Sequence, residues 1–347
     1  MTFDIVLWLA QDGITNGAIY ALLALALLLV FSVTRVIFVP QGEFISYAAL
    51  SLALLQAGQV PGVVYVLVGG GLVAAALDIA KALRNRSYSR LPAAIAAYVV
   101  FPCAMAAIAW WAAPLKLALG WQVLIVLGLV VPLGPIVWRI AFQPLANASV
   151  LVLFIAAIAA HYVLQGLGLV FFGGEGLRSE AFSDARFALG VIQASAQSLL
   201  VILASLATMV VLWLFFGRSI YGKALRATAI NRVGARLVGI RTELAGTLSF
   251  FLAAFIGTLS GILIGPITTI YYDTGFLIGL KGFVGAILGG MASFPLAVAG
   301  SIFLGLLEAF ASFWSSAFKE TIVFLVIIPP LIWLSLRSRH VEEEEEE

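Results

Sequence analysis

Charged residues are scarce in this sequence. Asp, Glu, Lys and Arg make up 10% of its 347 residues, whereas a soluble globular domain is about 25% charged. Hydrophobic residues make up 63% of the chain, and several continuous apolar runs reach the roughly 20 residues that span a bilayer as a helix. A transmembrane β-barrel would instead show alternating segments of about ten residues. The sequence therefore predicts an all-α, polytopic bundle of transmembrane helices.

Residues that usually carry catalysis or bind metals are also scarce. Cys103 is the only cysteine, which excludes an intrachain disulfide. The only histidines are His161 and His340, so the sequence has no Cys/His metal spacing, and it has no Gly-x-x-x-x-Gly-Lys-Ser/Thr phosphate loop. We therefore expect no metal site, no cofactor and no enzymatic activity in this chain, and we interpret His161 as an interior polar residue of a span.

The basic residues predict the orientation, because Lys and Arg gather in cytoplasmic loops. Three basic clusters, at residues 81–90, 218–241 and 337–339, are separated by even numbers of apolar runs and so fall on one side. We predict an external N-terminus and a cytoplasmic C-terminus. The runs at 43–57 and 275–290 are short, as expected of broken or re-entrant segments. In all, about 10–11 hydrophobic segments occur, at residues 14–34, 43–57, 62–80, 92–113, 118–138, 149–172, 190–217, 244–266, 275–290, 293–312 and 320–336.

The terminal stretch EEEEEE contains six of the 17 acidic residues, and without it 19 basic residues face 11 acidic ones. This excess is divided among short loops, so it does not indicate nucleic-acid binding. We predict a single transmembrane domain over residues 1–340 and a solvated, disordered acidic tail over residues 341–347.

The stretch YGKALRATAINRVGARLVGI, residues 221–240, has four basic residues and no acidic one between two apolar runs. Interpreted as a helix, it places Ile230, Val233 and Leu237 on one apolar stripe. Two interpretations remain open for the loop at 218–243. It is either an ordinary basic cytoplasmic loop or a short interfacial helix that docks a cytoplasmic partner.

Four stretches of the sequence resemble one protein family. They are GITNGAIYALLALALLLVFSVTRVIFVPQGEF (13–44), FQPLANASVLVLFIAAIAA (142–160), the basic stretch, and GLKGFVGAILGGMASFPLAVAGSIFLGLLEAF (279–310). The chain resembles the permease subunits of bacterial ABC importers for branched-chain amino acids, of the H-subunit type. This resemblance implies a multi-pass subunit in the bacterial cytoplasmic (inner) membrane that carries a small solute by alternating access. The expected solute is a branched-chain amino acid or a related amino acid or amide.

The resemblance also implies partners. They are a second related permease subunit, two cytoplasmic ATPase subunits that bind ATP and Mg, an extracytoplasmic solute-binding protein, and membrane lipid. In this family the basic stretch resembles a coupling helix that docks on an ATPase subunit. The coupling positions implied here are Gly222, Ala224, Ala227, Ala229, Gly234, Arg236 and Gly239.

The sequence departs from the family pattern in two places. The family commonly has Asn-Phe-Ala-His-Gly-Glu after the first span, whereas this chain has Phe-Val-Pro-Gln-Gly-Glu at 38–43. In addition, residues 61–115 are predicted to be an inserted pair of spans, which is an even number and preserves the orientation of the later spans.

Polar residues inside apolar segments are the candidates for the transport pathway. The proline of VPQGEF kinks the chain, and broken helices line binding sites in many transporters, which favours Gln41, Gly42 and Glu43. The alternative is an ordinary cytoplasmic turn in which Arg35 pairs with Glu43. Ionisable residues within apolar runs add two further candidates, since their burial in a membrane is costly; these are Lys281 and Glu308, which could instead form a structural ion pair.

Two other functional classes remain open. An ion-driven secondary transporter could use Glu43 and Glu308 as coupling carboxylates, but that class leaves the basic alanine-rich stretch unexplained. A polytopic membrane enzyme would need a catalytic constellation, and the sequence shows none.

Overall fold

The computed structural model describes residues 3–86, 88, 91–183, 185–189, 192–291, 293–326, 328–330 and 332. The acidic tail predicted at 341–347 lies outside these residues.

Within the described residues, eight helices are long and apolar enough to cross a membrane. They confirm the polytopic helical bundle. Two further helices, α2 (Glu43–Gln56) and α11 (Thr274–Leu288), have only 14 and 15 residues, which confirms that the apolar runs at these positions are short. The eight long helices are α1 (Phe3–Thr34), α3 (Val63–Asn85), α4 (Leu91–Leu115), α5 (Leu119–Phe142), α6 (Val150–Phe172), α7 (Ala196–Arg218), α10 (Thr242–Ile264) and α12 (Phe294–Trp314).

The remaining described elements are short. A 3-10 turn, Val39–Gly42, precedes α2. The antiparallel strands β1 (Arg186–Leu189) and β2 (Ile192–Ser195) form a hairpin before α7. The others are three short helices, α8 (Ile220–Ile230), α9 (Arg232–Leu237) and α13 (Lys319–Leu325), and a second 3-10 turn, Ser316–Phe318, directly before α13.

Polar residues at the ends of apolar runs set several helix starts. Each accepts a hydrogen bond from a backbone N–H of the first turn, which would otherwise have no partner within the helix. Such caps are the side chains of Ser149, Ser219, Asn231 and Ser293, at the starts of α6, α8, α9 and α12.

The chain divides into two compact units. The first contains the described residues within 1–28, 183–209 and 278–347, and the second those within 29–182 and 210–277. The domain boundaries expected from the sequence, including an inserted pair of spans at 61–115, remain predictions. The inserted region itself forms α3 and α4.

The first unit packs through small residues. A side chain at Gly305 of α12 would collide with the backbone of Gly13 and Gly17 on α1, so the two helices approach at nearly backbone distance. Farther along α1, Ala24 and Leu28 form a buried cluster with Ala286 and Ala297.

The second unit is built around α2, whose residues are almost all buried. Gly261 on α10 lies directly against the backbone of Ile45, where any side chain would clash. An aromatic cluster closes the end of this packing nearest the 3-10 turn, with Phe250 at 4.6 Å from Phe38 and 5.0 Å from Trp138 between ring centroids. The buried α2 is therefore held rigidly by its neighbours.

Candidate transport pathway and coupling surface

The chain breaks its helical path between α1 and α2. Arg35, directly after α1, has a positive φ of 63°, and the 3-10 turn with Pro40 in its first turn follows. Gly42 at the end of this turn lies against the backbone of Gly275, and a side chain at either position would collide with the other residue's carbonyl group. Two helix ends thus meet at a point that only glycine permits, as in the discontinuous helices of transporters.

Glu43 and His161 form a buried pair beside this break. The Glu43 Oε1 atom lies 2.8 Å from Nδ1 of His161, and the two residues are 0% and 4% exposed. The His161 ring stacks on Phe276 with 4.2 Å between centroids. The other carboxylate oxygen of Glu43, Oε2, is buried and has no hydrogen-bond partner among the described residues. The partner of Glu43 is therefore His161. The alternative interpretation had paired Glu43 with Arg35.

An unpaired buried carboxylate oxygen is unusual, because buried polar atoms nearly always form hydrogen bonds. Leaving such an atom without a partner costs about 1–3 kcal/mol, and more where the group is charged. The Oε2 atom of Glu43 therefore has an unused capacity to accept a hydrogen bond.

Other polar groups on α2 and its preceding turn contact neighbouring backbone. Gln41 donates through Nε2 to the carbonyl oxygen of Ala253 at 2.8 Å, while its Oε1 atom is buried without a partner among the described residues. Ser46 accepts from the N–H of Gly275 at 2.8 Å, and Tyr47 donates to the carbonyl of Leu164 at 2.6 Å. The sequence candidates Gln41, Gly42 and Glu43 thus lie together in one buried polar seam of the second unit.

Lys281 and Glu308 are brought together in the first unit. Their Nζ and Oε1 atoms are 2.6 Å apart, and the residues are 5% and 7% exposed. Glu320 contributes a second carboxylate at 3.0 Å from the same Nζ atom, and Tyr20 donates to Glu308 Oε2 at 2.6 Å. One lysine on α11 therefore contacts carboxylates on α12 and α13, and Tyr20 of α1 joins the cluster. This arrangement fits the structural ion pair considered as the alternative for Lys281 and Glu308.

We expect the Lys281 cluster to act on stability. Replacing Lys281 with methionine leaves Glu308 buried without its cation, which we expect to lower the free energy of unfolding by about 3 kcal/mol. The double variant Lys281→Met/Glu308→Gln removes the unpaired charge and should recover part of this loss. Thermal unfolding of the purified chain measures both effects. A double variant no more stable than the single one would contradict this account.

The basic stretch folds into two helices, α8 and α9, rather than the single helix that its apolar stripe predicted. The break is at Asn231, which has extended backbone angles and whose Oδ1 accepts from the N–H of Gly234 at 2.8 Å. Asparagine side chains compete for backbone hydrogen bonds in this way and favour caps over helix interiors. The residues of the predicted stripe, Ile230, Val233 and Leu237, are nevertheless all exposed.

The opposite face of α8 is packed. Gly222, Leu225 and Thr228 are buried, and a side chain at Gly222 would collide with the backbone of Phe215. Gly239 follows α9 with a φ of 85°, a conformation that favours glycine. Four of the other predicted coupling positions are half-buried and one is exposed. The half-buried ones are Ala224, Ala227, Ala229 and Gly234, and the exposed one is Arg236.

Two arginines anchor α9. Arg232 donates through Nη1 to the carbonyl of Ala146 at 2.8 Å, and Arg236 donates through Nε to Oγ1 of Thr242 at 3.0 Å. Partial burial, with a smaller contribution from the nearby Arg236, lowers the pKa of the Arg232 guanidinium below its usual range. A guanidinium nevertheless remains charged in proteins, so α9 is held by cationic side chains while its larger apolar residues, Val233 and Leu237, stay exposed.

Sequence reasoning noticed His161 but missed its role as the partner of Glu43. It also missed Tyr20 and Glu320. The available signal was the presence of ionisable groups within apolar runs, which marks His161 and Glu320 as costly to bury. Within the described part of the chain, no group of three or more His, Cys, Asp or Glu side chains could hold a metal ion.

Comparison with known proteins gives a consistent result. A family model described as the branched-chain amino acid transport system permease component matches residues 9–331. The high-affinity branched-chain amino acid transport system permease protein LivH of Escherichia coli (strain K12) is 28% identical over 201 residues, and BraD of Pseudomonas aeruginosa is 29% identical over 202. These matches cover 56% of this chain, 65% of LivH and 66% of BraD, so the chain spans just under two thirds of these relatives.

Proposed function

We propose that this chain, which belongs to the permease-component family of branched-chain amino acid transport systems, is the membrane-spanning subunit of an ATP-driven importer. Its solute is a branched-chain amino acid or a related amino acid or amide. The chain breaks no bond itself. ATP and Mg are bound by two cytoplasmic ATPase subunits, and the assembly includes a second related permease and an extracytoplasmic solute-binding protein in a bacterial cytoplasmic membrane.

The apolar surface on α8 and α9 carries this proposal. Several apolar side chains of this segment are exposed, and four of them, at the end of α8 and along and just after α9, are exposed to between 67% and 86%. These four, Ile230, Val233, Leu237 and Val238, we call the coupling surface. The nearby basic residues Lys223, Arg226 and Arg236 support a cytoplasmic position for the segment under the positive-inside rule. Exposed apolar groups bordered by polar residues are typical of protein–protein contacts.

The rigid attachment of α8 and α9 supports a mechanical role. The buried face of α8 packs against α7, and Arg236 of α9 donates a hydrogen bond to Thr242, the first residue of α10. A displacement of the coupling surface by ATP-driven closure of the ATPase subunits would therefore move the cytoplasmic ends of two spans. This is the movement that alternating access requires.

The break between α1 and α2 supports the pathway. An amino-acid solute carries an ammonium group, and the unpaired Oε2 atom of Glu43 is a suitable charged acceptor for it. Gly42 and Gly275 let the two helix ends separate or approach without side-chain obstruction. We therefore assign the solute contacts to Gln41, Gly42 and Glu43, and a supporting role to His161.

Co-purification tests the proposed assembly. The tagged chain is extracted from its native membrane in mild detergent, and its companions are identified by mass spectrometry. We expect two copies of ATPase per complex and a second permease. Recovery of this chain alone, stable across several detergents, would overturn the importer assignment.

A further inference from the structure

A large cavity of about 930 Å³ opens in the second unit at the predicted cytoplasmic end of the spans. It is lined by the ends of α3, α4 and α5 and by the segment that connects α9 to α10. None of the solute contacts assigned above belongs to it. The cavity therefore calls for an explanation of its own.

The charge of the lining is unbalanced. It includes four basic side chains, Lys81, Arg139, Arg236 and Arg241, and only two acidic ones. Asp78 forms an ion pair with Arg139. Among the described residues, neither Lys81 nor Arg241 has a salt bridge or a side-chain hydrogen bond. The second acidic residue, Glu243, interacts electrostatically with Arg139, so the described lining keeps an excess of two positive charges, and Lys81 and Arg241 border the cavity without a salt bridge.

The backbone adds donors to the same space. The side chain of Arg241, the residue that caps α10, forms no capping hydrogen bond. The N–H groups at the start of a helix lack intrahelical partners and favour anions. Thr242, Glu243 and Leu244, which contribute these groups, all line the cavity.

One part of the lining is apolar. Leu91, Ala94 and Leu244 contribute to it, and the adjoining helix α4 exposes most of its side chains. A cavity with cationic and apolar walls at a membrane boundary suits a phosphate group attached to a glycerol backbone. The positive-inside rule alone does not explain why Lys81 and Arg241 border the cavity, because Arg84 and Arg226 are equally basic and exposed but lie outside it.

We propose that this cavity binds a phosphate monoester or diester, either the headgroup of an anionic phospholipid or a free cytoplasmic phosphate compound. Lys81 and Arg241 are the principal contacts, and the first turn of α10 supplies backbone donors. The bound phosphate bridges the end of α3 to the start of α10, directly after the coupling surface. Phosphate occupancy would thus stiffen the connection through which α9 moves α10.

Native mass spectrometry of the purified full-length chain tests the proposal without requiring any ATPase subunit. The chain is titrated with phosphatidylglycerol, with phosphatidylcholine and, in competition, with inorganic phosphate. We compare the double variant Lys81→Gln/Arg241→Gln with the control Arg84→Gln/Arg226→Gln, which removes the same charge from exposed positions outside the cavity. Since a basic residue contributes about 1 kcal/mol to anionic lipid binding, the loss of two should weaken the binding of phosphatidylglycerol by the first variant about 30-fold, and the control should bind it normally.

The competition distinguishes the two sources of phosphate. If millimolar inorganic phosphate displaces phosphatidylglycerol from the wild-type chain, the cavity accepts free phosphate compounds; if it does not, the ligand is the lipid. Equal weakening in both double variants would overturn the proposal, because it would show attraction by surface charge alone. Equal binding of phosphatidylcholine and phosphatidylglycerol by the wild-type chain would overturn it as well.

Discussion

Replacing Glu43 with glutamine should reduce solute uptake at least about 30-fold while leaving the chain in the membrane. The substitution keeps the shape of the side chain and removes the charge that Oε2 offers to the solute's ammonium group. Removing one partner of a buried charge pair typically costs 2–5 kcal/mol, which corresponds to this loss. Uptake of labelled leucine by cells that express the variant provides the measurement.

A matched control separates this effect from a general loss of charge. Glu175 is exposed in the loop after α6, so Glu175→Gln makes the same chemical change away from the buried seam and should transport normally. Wild-type uptake by Glu43→Gln, with an unchanged half-saturation concentration, would remove Glu43 from the pathway.

Replacing Leu237 with aspartate should abolish uptake by a different route. Leu237 belongs to the coupling surface and is 83% exposed, so the substitution does not disturb packing within the chain. A charge placed among apolar contacts at a protein interface has no partner, and central interface residues often contribute 2 kcal/mol or more. We expect the ATPase subunits to be lost on purification while the second permease is retained.

Leu237→Met is the conservative comparison, because methionine has a similar volume and remains apolar. It should keep both the ATPase subunits and the uptake activity. Retention of the ATPase subunits by Leu237→Asp would show that docking occurs elsewhere on the chain.

The transmembrane helices could be predicted from the sequence because length and hydropathy are properties of a single segment. The short runs at 43–57 and 275–290 were recognised on the same basis, and they became α2 and α11. Their position next to each other could not be predicted in this way. It depends on contact between Gly42 and Gly275, which are more than 200 residues apart in the chain.

The basic stretch shows what apolar periodicity alone cannot predict, namely where a helix ends. Its apolar periodicity predicted one helix, and the exposed positions of Ile230, Val233 and Leu237 agree with that pattern. The pattern did not weigh the tendency of Asn231 to cap a new helix. Periodicity therefore identified a set of apolar residues that are all exposed, although not where the helix breaks.

The pairing of ionisable residues could be predicted from the sequence only in part. Lys281 and Glu308 were singled out as ionisable residues in apolar runs, and the structure pairs them at 2.6 Å. His161 was treated as an isolated polar residue, although it lies 2.8 Å from Glu43. The cost of burying a charge indicates that a partner must exist, whereas the identity of that partner depends on how distant helices pack.

Energy coupling is the central claim, and uptake into proteoliposomes tests it most directly. The complete purified complex is reconstituted, with ATP and Mg enclosed on the ATPase side, and labelled leucine and related amino acids are supplied with the solute-binding protein on the opposite side. We predict that accumulation of at least one of these solutes requires ATP, persists when ion gradients are dissipated, and is lost with Leu237→Asp. Accumulation by this chain alone, driven by an ion gradient without ATP, would contradict the account and identify an ion-coupled transporter.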